Sequence, residues 1–349
     1  GAGGLGFCKS VLPSTHDGRE MPPVRRLACA FLLGLSALGW SATGAGYSRV
    51  GMTLAGSICV DAATGEVLAQ DRADGLGHPA SVTKLMTMLL VLEDVQAGKT
   101  TLASRVTVTK AAAGVGGSQV WLAPGESFPL SELLYALMLQ SANDAAVALA
   151  IDRAETVPAF VTRMNRRAAE LGMSRTRFVT PNGLTTGAGP HDTTTARDLA
   201  KLCVEVCKRP EALRFTGTQQ HNFARFLKPV AMVNHNHLLP TFPGCDGLKT
   251  GWTVAGKASM ATTATDGPRR VIAVVLGCDS PQGAKAAQRL RDQLAGELMK
   301  DGLGKLAAKE LAKSKLAKPV SVAAATPKVA PAMKPEPGFW DWLGDLFSF

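Results

Sequence analysis

The chain has 349 residues, of which 46% are hydrophobic and 19% charged, and its 38 Lys and Arg against 28 Asp and Glu give a net charge of +10. The apolar fraction is enough for a sizeable core, which excludes wholesale disorder. No apolar run reaches the roughly 18 to 20 residues that span a bilayer, which excludes a multi-pass membrane protein. The positive charge is compatible with nucleic acid, an anionic membrane or an anionic polymer as partner.

The first elements of the chain are typical of a secretory signal peptide. After Met21, the basic pair Arg25 and Arg26 precedes 14 apolar residues, and a small, polar stretch ends at Ala45. A buried N-terminal helix is the alternative, but it does not explain this order of basic, apolar and small residues. We therefore predict an upstream segment over 1–20 that is not part of the mature protein, a signal peptide over 21–45, and export to the periplasm or the outer face of the cytoplasmic membrane.

Five cysteines remain after the predicted leader, at Cys59, Cys203, Cys207, Cys245 and Cys278. Export permits disulfides, but an odd number cannot all pair within one chain, and the sequence leaves the pairing open. Cys203 and Cys207 lie four residues apart in a helical pattern, without the spacing or the histidine partner of a zinc site. We expect neither a metal ion nor a cofactor.

From Leu54 to Lys300 the pattern predicts one mixed domain with strands at both ends and helices in the middle. A turn at Thr64-Gly65 joins two early strands, and Asp266-Gly267 marks a late hairpin. The run LMTMLLVL is apolar all round and predicts a buried helix, which further helices follow at 130–150, 157–171 and 194–206. Ser280-Pro281 opens a last helix. Neither strand group is stable alone, so we expect both in one sheet, within a domain over 46–300.

After Lys300 the composition becomes rich in Ala, Lys and Pro, which predicts a linker over 301–337. In the final segment, 338–349, Phe339, Trp342, Leu343 and Leu346 lie on one helical face. A helix of about 13 residues is near 20 Å long and too short to cross a bilayer, but it could lie in the membrane interface. Docking of this helix on the core is the alternative. We favour a peripheral membrane contact.

Three short motifs follow one another in the domain. They are Ser81-Val82-Thr83-Lys84 at the start of the buried helix, Ser141-Ala142-Asn143 after a second helix, and Lys249-Thr250-Gly251 at the start of the returning strands. Each is weak alone, since a Ser-x-x-Lys motif arises about once by chance in a chain of this length. Their joint order, each in a suitable structural setting, is far more specific.

The residue types in these motifs suit acyl transfer. Residues i and i+3 share a helix face, so Lys84 can reach the Ser81 hydroxyl and act as the base that a serine nucleophile needs. A lysine is such a base only when burial or a neighbouring cation lowers its pKa, and Lys249 could be that cation. Ser141 can relay a proton and Asn143 can bind Lys84, while Lys249 and Thr250 can bind a carboxylate.

Together the motifs resemble the signature of penicillin-binding proteins and class A β-lactamases. From about Gly46 to Lys300 the chain is similar to serine D-alanyl-D-alanine carboxypeptidases, the low-molecular-mass penicillin-binding proteins. The similarity extends to PNGL at 181–184, HDTTTARDLAKL at 191–202 and GCDGLKTGWT at 244–253. It implies an α/β (α+β) transpeptidase/β-lactamase-like fold, with an antiparallel sheet flanked by helices, a mostly helical subdomain and the active site between them.

The resemblance also implies roles for individual residues. Ser81 is the acyl-enzyme nucleophile, Lys84 its base, and Ser141 with Asn143 the second catalytic element. The substrate-binding strand carries Lys249, Thr250, Gly251 and Trp252, and the backbone N–H groups of Ser81 and Trp252 form the oxyanion hole. The expected partners are peptidoglycan stem peptides and β-lactam inhibitors. Asp198 is expected to be structural, and His191 to be a loop residue.

Several alternatives stay open at this point. Related short enzymes include D,D-endopeptidases, and the sequence does not separate the two specificities. A class A β-lactamase needs a deacylating glutamate, and the candidates Glu155, Glu170, Glu205 and Glu211 lie in helical patterns or in the wrong context. A non-catalytic cell-wall binding module is a third possibility. Nucleic acid is not an expected partner, because the domain has neither a basic helix nor a cluster of stacking aromatics.

Overall fold

A computed structural model describes residues 50–185, 189–223, 225 and 229–316. The predicted upstream segment, signal peptide and C-terminal amphipathic helix lie outside the described residues.

The described chain contains one five-stranded antiparallel sheet and three two-stranded ones. The strands in chain order are β1 (Gly56–Asp61), β2 (Val67–Asp71), β3 (Leu76–Gly77), β4 (Arg105–Thr107), β5 (Ser127–Pro129), β6 (Thr194–Thr195), β7 (Gln220–Phe223), β8 (Val230–Val233), β9 (Cys245–Thr253), β10 (Lys257–Asp266) and β11 (Arg269–Cys278). The main sheet has the order β2-β1-β11-β10-β9, and the small sheets pair β3 with β6, β4 with β5, and β7 with β8. The early and late strands therefore form one sheet, which confirms the prediction.

Eight α-helices surround this sheet in the described residues. They are α1 (Lys84–Gln96), α2 (Lys110–Ala113), α3 (Leu130–Met138), α4 (Asn143–Ala154), α5 (Val157–Glu170), α6 (Ala196–Cys207), α7 (Pro210–Gly217) and α8 (Ala284–Leu316), and a 3-10 turn at Ala80–Thr83 precedes α1. The sequence predicted one helix over 130–150, but the chain leaves α3 and starts α4 around Ser141, whose φ of +59° does not fit a right-handed helix. Within the described residues, no helix is both long and apolar enough to cross a bilayer.

The sheet lies between two helical layers because its strands alternate their side chains. In β11, Ile272 and Val274 join the large core around α1 and α6, whereas Val271 and Val275 pack on the opposite face against α8. Helix α1 is buried on almost every side, as its continuous apolar run predicted. Helices α2, α3 and α5 pack around α4, which contacts α1, and these helices form the helical part of the domain.

Helix α8 differs from the predicted boundary at Lys300, because it continues to Leu316. Leu303 and Leu306 pack against the cluster that contains Cys59, and Lys305 donates a hydrogen bond to the carbonyl of Leu68 at 2.6 Å. These contacts explain the difference: the Ala- and Lys-rich composition of 301–316 favours a helix, and the sheet supplies a surface for its apolar residues. The predicted linker therefore starts inside the last helix of the fold.

The five cysteines of the domain are all free thiols in the described structure. Burial raises the pKa of Cys59 to about 12 and holds the pKa of Cys203 well above its usual range. These thiols are therefore protonated near neutral pH, and they pack as small apolar side chains.

The docking of α8 beyond Lys300 can be tested at two glycines. A Cβ atom at Gly302 would lie 2.6 Å from the Cys59 Sγ atom and 3.2 Å from Val271, whereas one at Gly304 would meet nothing within 4 Å. We expect Gly302→Val to destabilise the domain by about 1–3 kcal/mol through overpacking. Gly304→Val, in the same helix, should change stability by no more than about 0.5 kcal/mol. Equal midpoints of urea unfolding for the two variants would contradict the packing of this segment.

Candidate active site

The first motif forms a hydrogen-bonded pair at the start of α1. Residues Ala80–Thr83 form a 3-10 turn, and Lys84 is its C-cap. Side chains at i and i+3 of such a turn lie on the same side, so Lys84 is next to Ser81. The Lys84 Nζ atom donates to the Ser81 Oγ atom at 3.0 Å. The contact predicted from the Ser-x-x-Lys spacing is therefore present, although a 3-10 turn makes it instead of an α-helix.

The Lys84 amine has no contact with solvent and three acceptors. Besides Ser81, it donates to Asn143 Oδ1 at 2.8 Å and to the carbonyl of Asn182 at 2.7 Å. Burial, followed by the charge of Lys249, holds the pKa of Lys84 well below its usual range. A lowered pKa makes the neutral form of an amine easier to reach, and the neutral amine can accept the proton of a serine hydroxyl, so this pair has the chemistry of nucleophile and base.

The second motif lies between α3 and α4. Asn143 is the first residue of α4, and its side-chain amide also donates to the carbonyl of Gly116 at 2.8 Å, so that its oxygen points to Lys84. The Ser141 hydroxyl is buried and makes no hydrogen bond to the described part of the protein. A buried hydroxyl with a free hydrogen-bonding capacity beside Ser81 is suited to contact a substrate or its leaving group.

The third motif brings β9 against the turn that carries Ser81. A Cβ atom at Gly251 would lie 2.8 Å from the carbonyl oxygen of Pro79 and 2.9 Å from the Ser81 nitrogen, so only glycine permits this approach. Lys249 is buried one strand residue before Thr250, and burial together with the charge of Arg291 lowers its pKa to about 7. Trp252 is 43% exposed at the edge of the strand.

A cavity of about 340 Å³ opens above these residues. It is lined by Ser81, Ser118, Ser141, His235, His237, Thr250, Gly251, Trp252, Gln288 and Arg291. Five of the eight site residues predicted from the sequence line this cavity, and the other three, which are Lys84, Asn143 and Lys249, lie buried among its neighbours. The structure thus gathers all three motifs at one place.

Other residues of the site were not predicted from the sequence. Arg291 of α8 is only 3% exposed, donates to Asp292 at 2.6 Å and lines the same cavity as Ser81. His235, on the loop before β9, has its pKa lowered to about 4 by burial and by the charge of Lys249. The spacing of leucines in α8 indicated only which face of the helix packs on the sheet, so it could not predict that Arg291 lines the cavity.

Two residues of the HDTTTARD segment behave as expected. Asp198 is buried and accepts hydrogen bonds from the Arg175 backbone at 2.9 Å and from the Thr176 hydroxyl at 3.0 Å, which is a structural role. His191 packs its ring on His78 at 4.9 Å between centroids and does not line the cavity.

The buried charge of Lys249 should cost stability. Because its folded pKa of about 7 is below the unfolded value of roughly 10.4, the cost is fully present below pH 7 and disappears as the pH rises towards 10. We expect Lys249→Met to raise the melting temperature by about 3–6 °C at pH 6, and the gain to shrink at pH 9. Lys110→Met, at an exposed lysine on α2, is the control and should show no such trend. A gain that is equal at both pH values would contradict the buried charge.

Comparison with known proteins agrees with this geometry. The sequence profile of the D-alanyl-D-alanine carboxypeptidase family matches residues 50–280. The chain is 34% identical over 270 residues to D-alanyl-D-alanine carboxypeptidase DacF of Bacillus subtilis, a match that covers 75% of this chain and 69% of the relative. It is 36% identical to DacC of Escherichia coli over 63% of this chain, but spans only 55% of that relative's length.

Solved structures give the same result. A D-alanyl-D-alanine carboxypeptidase of Francisella tularensis superposes with a TM-score of 0.66 at 25% identity, covering 78% of this chain and 76% of that one. A penicillin-binding protein of Listeria monocytogenes in its ampicillin-bound form superposes with a TM-score of 0.61 at 29% identity, covering 72% of this chain and 97% of that one. The predicted transpeptidase/β-lactamase-like fold is thereby confirmed. This chain belongs to the D-alanyl-D-alanine carboxypeptidase family of serine penicillin-binding peptidases.

Proposed function

We propose that this chain is a serine D-Ala-D-Ala carboxypeptidase that removes the terminal D-Ala from peptidoglycan stem peptides through an acyl-enzyme on Ser81. The observation that carries the proposal is the contact of 3.0 Å between the Ser81 hydroxyl and the buried Lys84 amine. Nucleophile and base are in reach of one another before any substrate binds, and the lowered pKa of Lys84 favours the neutral amine that can accept the serine proton.

In the acylation step, the Ser81 oxygen attacks the carbonyl of the penultimate D-Ala, and its proton moves to Lys84. The peptide bond then breaks, and the proton passes from Lys84 through the Ser141 hydroxyl to the amine of the leaving D-Ala. In the second step, water attacks the ester, returns the proton to Ser81 and frees the shortened peptide. The backbone N–H groups of Ser81 and Trp252 are the proposed donors to the oxyanion in both steps.

The terminal carboxylate of the substrate has a natural position beside Thr250. Arg291 lines that end of the cavity and is paired with Asp292, and Lys249 lies buried close enough for the charge of Arg291 to lower its pKa. His235, whose pKa is lowered to about 4, is neutral near neutral pH. A carboxylate entering this region would be attracted by Arg291 and by the protonated form of Lys249 at low local dielectric. This attraction favours a substrate with a free terminal carboxylate over one that is cut at an internal peptide bond. It therefore favours the carboxypeptidase over the D,D-endopeptidase.

The class A β-lactamase alternative has little support at the site. The residues that line the cavity in the described part of the chain include no glutamate. Glu205 instead pairs with Arg167, Lys208 and Arg209, and Glu170 pairs with Arg167, both away from Ser81. Without a carboxylate to activate water, we expect slow hydrolysis of a penicilloyl enzyme.

The setting of the reaction is also part of the proposal. A peptidoglycan substrate requires export, which the pattern of residues 21–45 predicts, and so we infer a place in the periplasm or at the outer face of the cytoplasmic membrane. A peripheral membrane contact through 338–349 stays a prediction, because those residues lie outside the described part of the chain.

Covalent labelling tests the assigned nucleophile and base. Incubation with a fluorescent penicillin should give a labelled band for the wild-type protein and none for Ser81→Ala. Lys84→Met keeps most of the buried volume but has no amine, and should slow acylation by at least about 100-fold. Lys110→Met serves as the control and should label at the wild-type rate. A wild-type protein that is folded but not labelled would favour the non-catalytic binding module.

The type of product decides between carboxypeptidase and endopeptidase. Purified muropeptides are incubated with the protein and measured by mass spectrometry. We expect pentapeptides to lose a single Ala residue while cross-linked dimers stay intact. Conversion of dimers to monomers without loss of Ala would show the endopeptidase instead.

A further inference from the structure

The loop before β6 places a buried carboxylate near the proposed base. Asp192 is 4% exposed and accepts four hydrogen bonds, from the backbone N–H groups of Val179 at 2.7 Å and Thr180 at 3.0 Å, and from the hydroxyls of Thr83 at 2.7 Å and Thr180 at 3.0 Å. Two of the donors are backbone groups that cannot turn away, which favours the ionised carboxylate. Burial itself raises the pKa of Asp192, so these bonds oppose that effect.

The four bonds join two parts of the site that are distant in sequence. Thr83 directly precedes Lys84, while Val179 and Thr180 open the turn 179–183. Within that turn, the carbonyl of Asn182 accepts from the Lys84 amine at 2.7 Å, and the carbonyl of Pro181 accepts from Thr87 at 2.6 Å. Asp192 therefore holds one end of the turn against α1. The other end is held by the hydrogen bonds that Lys84 and Thr87 of α1 donate to its carbonyls.

Lys84 also experiences the charge of this carboxylate. The charged groups that act on Lys84 are Lys249 on β9, Asp192, and Asp144 on α4, and His235 lies in the same field. Lys249 disfavours the protonated amine, whereas Asp192 and Asp144 favour it. Asp144 accepts hydrogen bonds from the backbone N–H groups of Val120 and Leu122, in a different segment from the turn 179–183.

We propose that Asp192 is a positioning residue for Lys84, which holds the carbonyl of Asn182 against the lysine amine and, through its charge, helps to set the pH range in which the amine can act as a base. The proposal rests on the proposed function, since it needs Lys84 to be that base. It assigns no contact with substrate to Asp192.

The test is the pH dependence of acylation in Asp192→Asn, which keeps the shape but removes the charge. The rate constant for acylation by a fluorescent penicillin is measured from pH 5 to 9. We expect the plateau to fall by about 10- to 100-fold, because the carbonyl of Asn182 is no longer held in place. We also expect the acid limb of the pH–rate profile, where the rate falls as the pH is lowered, to move to lower pH. Without the negative charge, Lys84 loses its proton more easily.

Asp198→Asn is the matched control. Asp198 is as buried as Asp192 and also accepts from a backbone N–H group and a threonine hydroxyl, but it holds Arg175 and Thr176 instead of the turn 179–183. It should lower the melting temperature without moving the acid limb. If Asp192→Asn also leaves the acid limb in place, the positioning role is wrong.

Thr83→Val keeps the proposal testable if Asp192→Asn does not fold. This variant removes one donor to Asp192 and keeps the volume of the side chain. We expect a smaller decrease in acylation, about 3- to 10-fold, together with a lower melting temperature, because a buried hydrogen bond to a carboxylate is lost. An unchanged rate would overturn the proposal. A wild-type protein that is never acylated would instead overturn the proposed function, so the two failures can be told apart.

Discussion

The structure depends on the burial of one amine. Lys84 has no access to solvent, and a buried amine is tolerated only where acceptors surround it or where it gives up its charge. Both apply here: the oxygens of Asn143 and Asn182 accept hydrogen bonds from it, and burial together with the charge of Lys249 lowers its pKa. The same two conditions that make the burial possible also make the amine a base, so stability and chemistry are linked at this residue.

The acceptors of Lys84 come from segments far apart in the chain, and their assembly accounts for much of the fold. Ser81 belongs to the turn before α1, Asn143 starts α4, and Asn182 lies in a turn about 100 residues after Lys84. Packing of α4 and α1 in one apolar core brings the first two together. The turn at 179–183 has no such core of its own, and hydrogen bonds to buried side chains hold it instead.

The sheet supplies the opposite wall of the site. Strand β9 can approach the Ser81 turn only because Gly251 has no side chain, and pairing of β10 with β11 and of β11 with β1 ties this wall to the start of the domain. Helix α8 covers the outer face of the sheet and adds Arg291 to the cavity. Helix α8 thus packs on the sheet and also forms part of the site. The charge of its Arg291 is one reason why Lys249 has a pKa of about 7.

The sequence by itself determined the order of the elements, the three motifs and the family, because apolar periodicity, turn residues and short-range spacing are local properties of the chain. It also predicted the contact of Lys84 with Ser81, which is three residues away. It did not reveal His235, Arg291 or Asp192, nor the extension of α8 to Leu316, since each depends on what lies opposite in space. The sequence also suggested Lys249 as the cation near Lys84, but only the tertiary structure decided which carboxylates share the low-dielectric surroundings of Lys84, because electrostatic energy there depends on distances that sequence spacing does not contain.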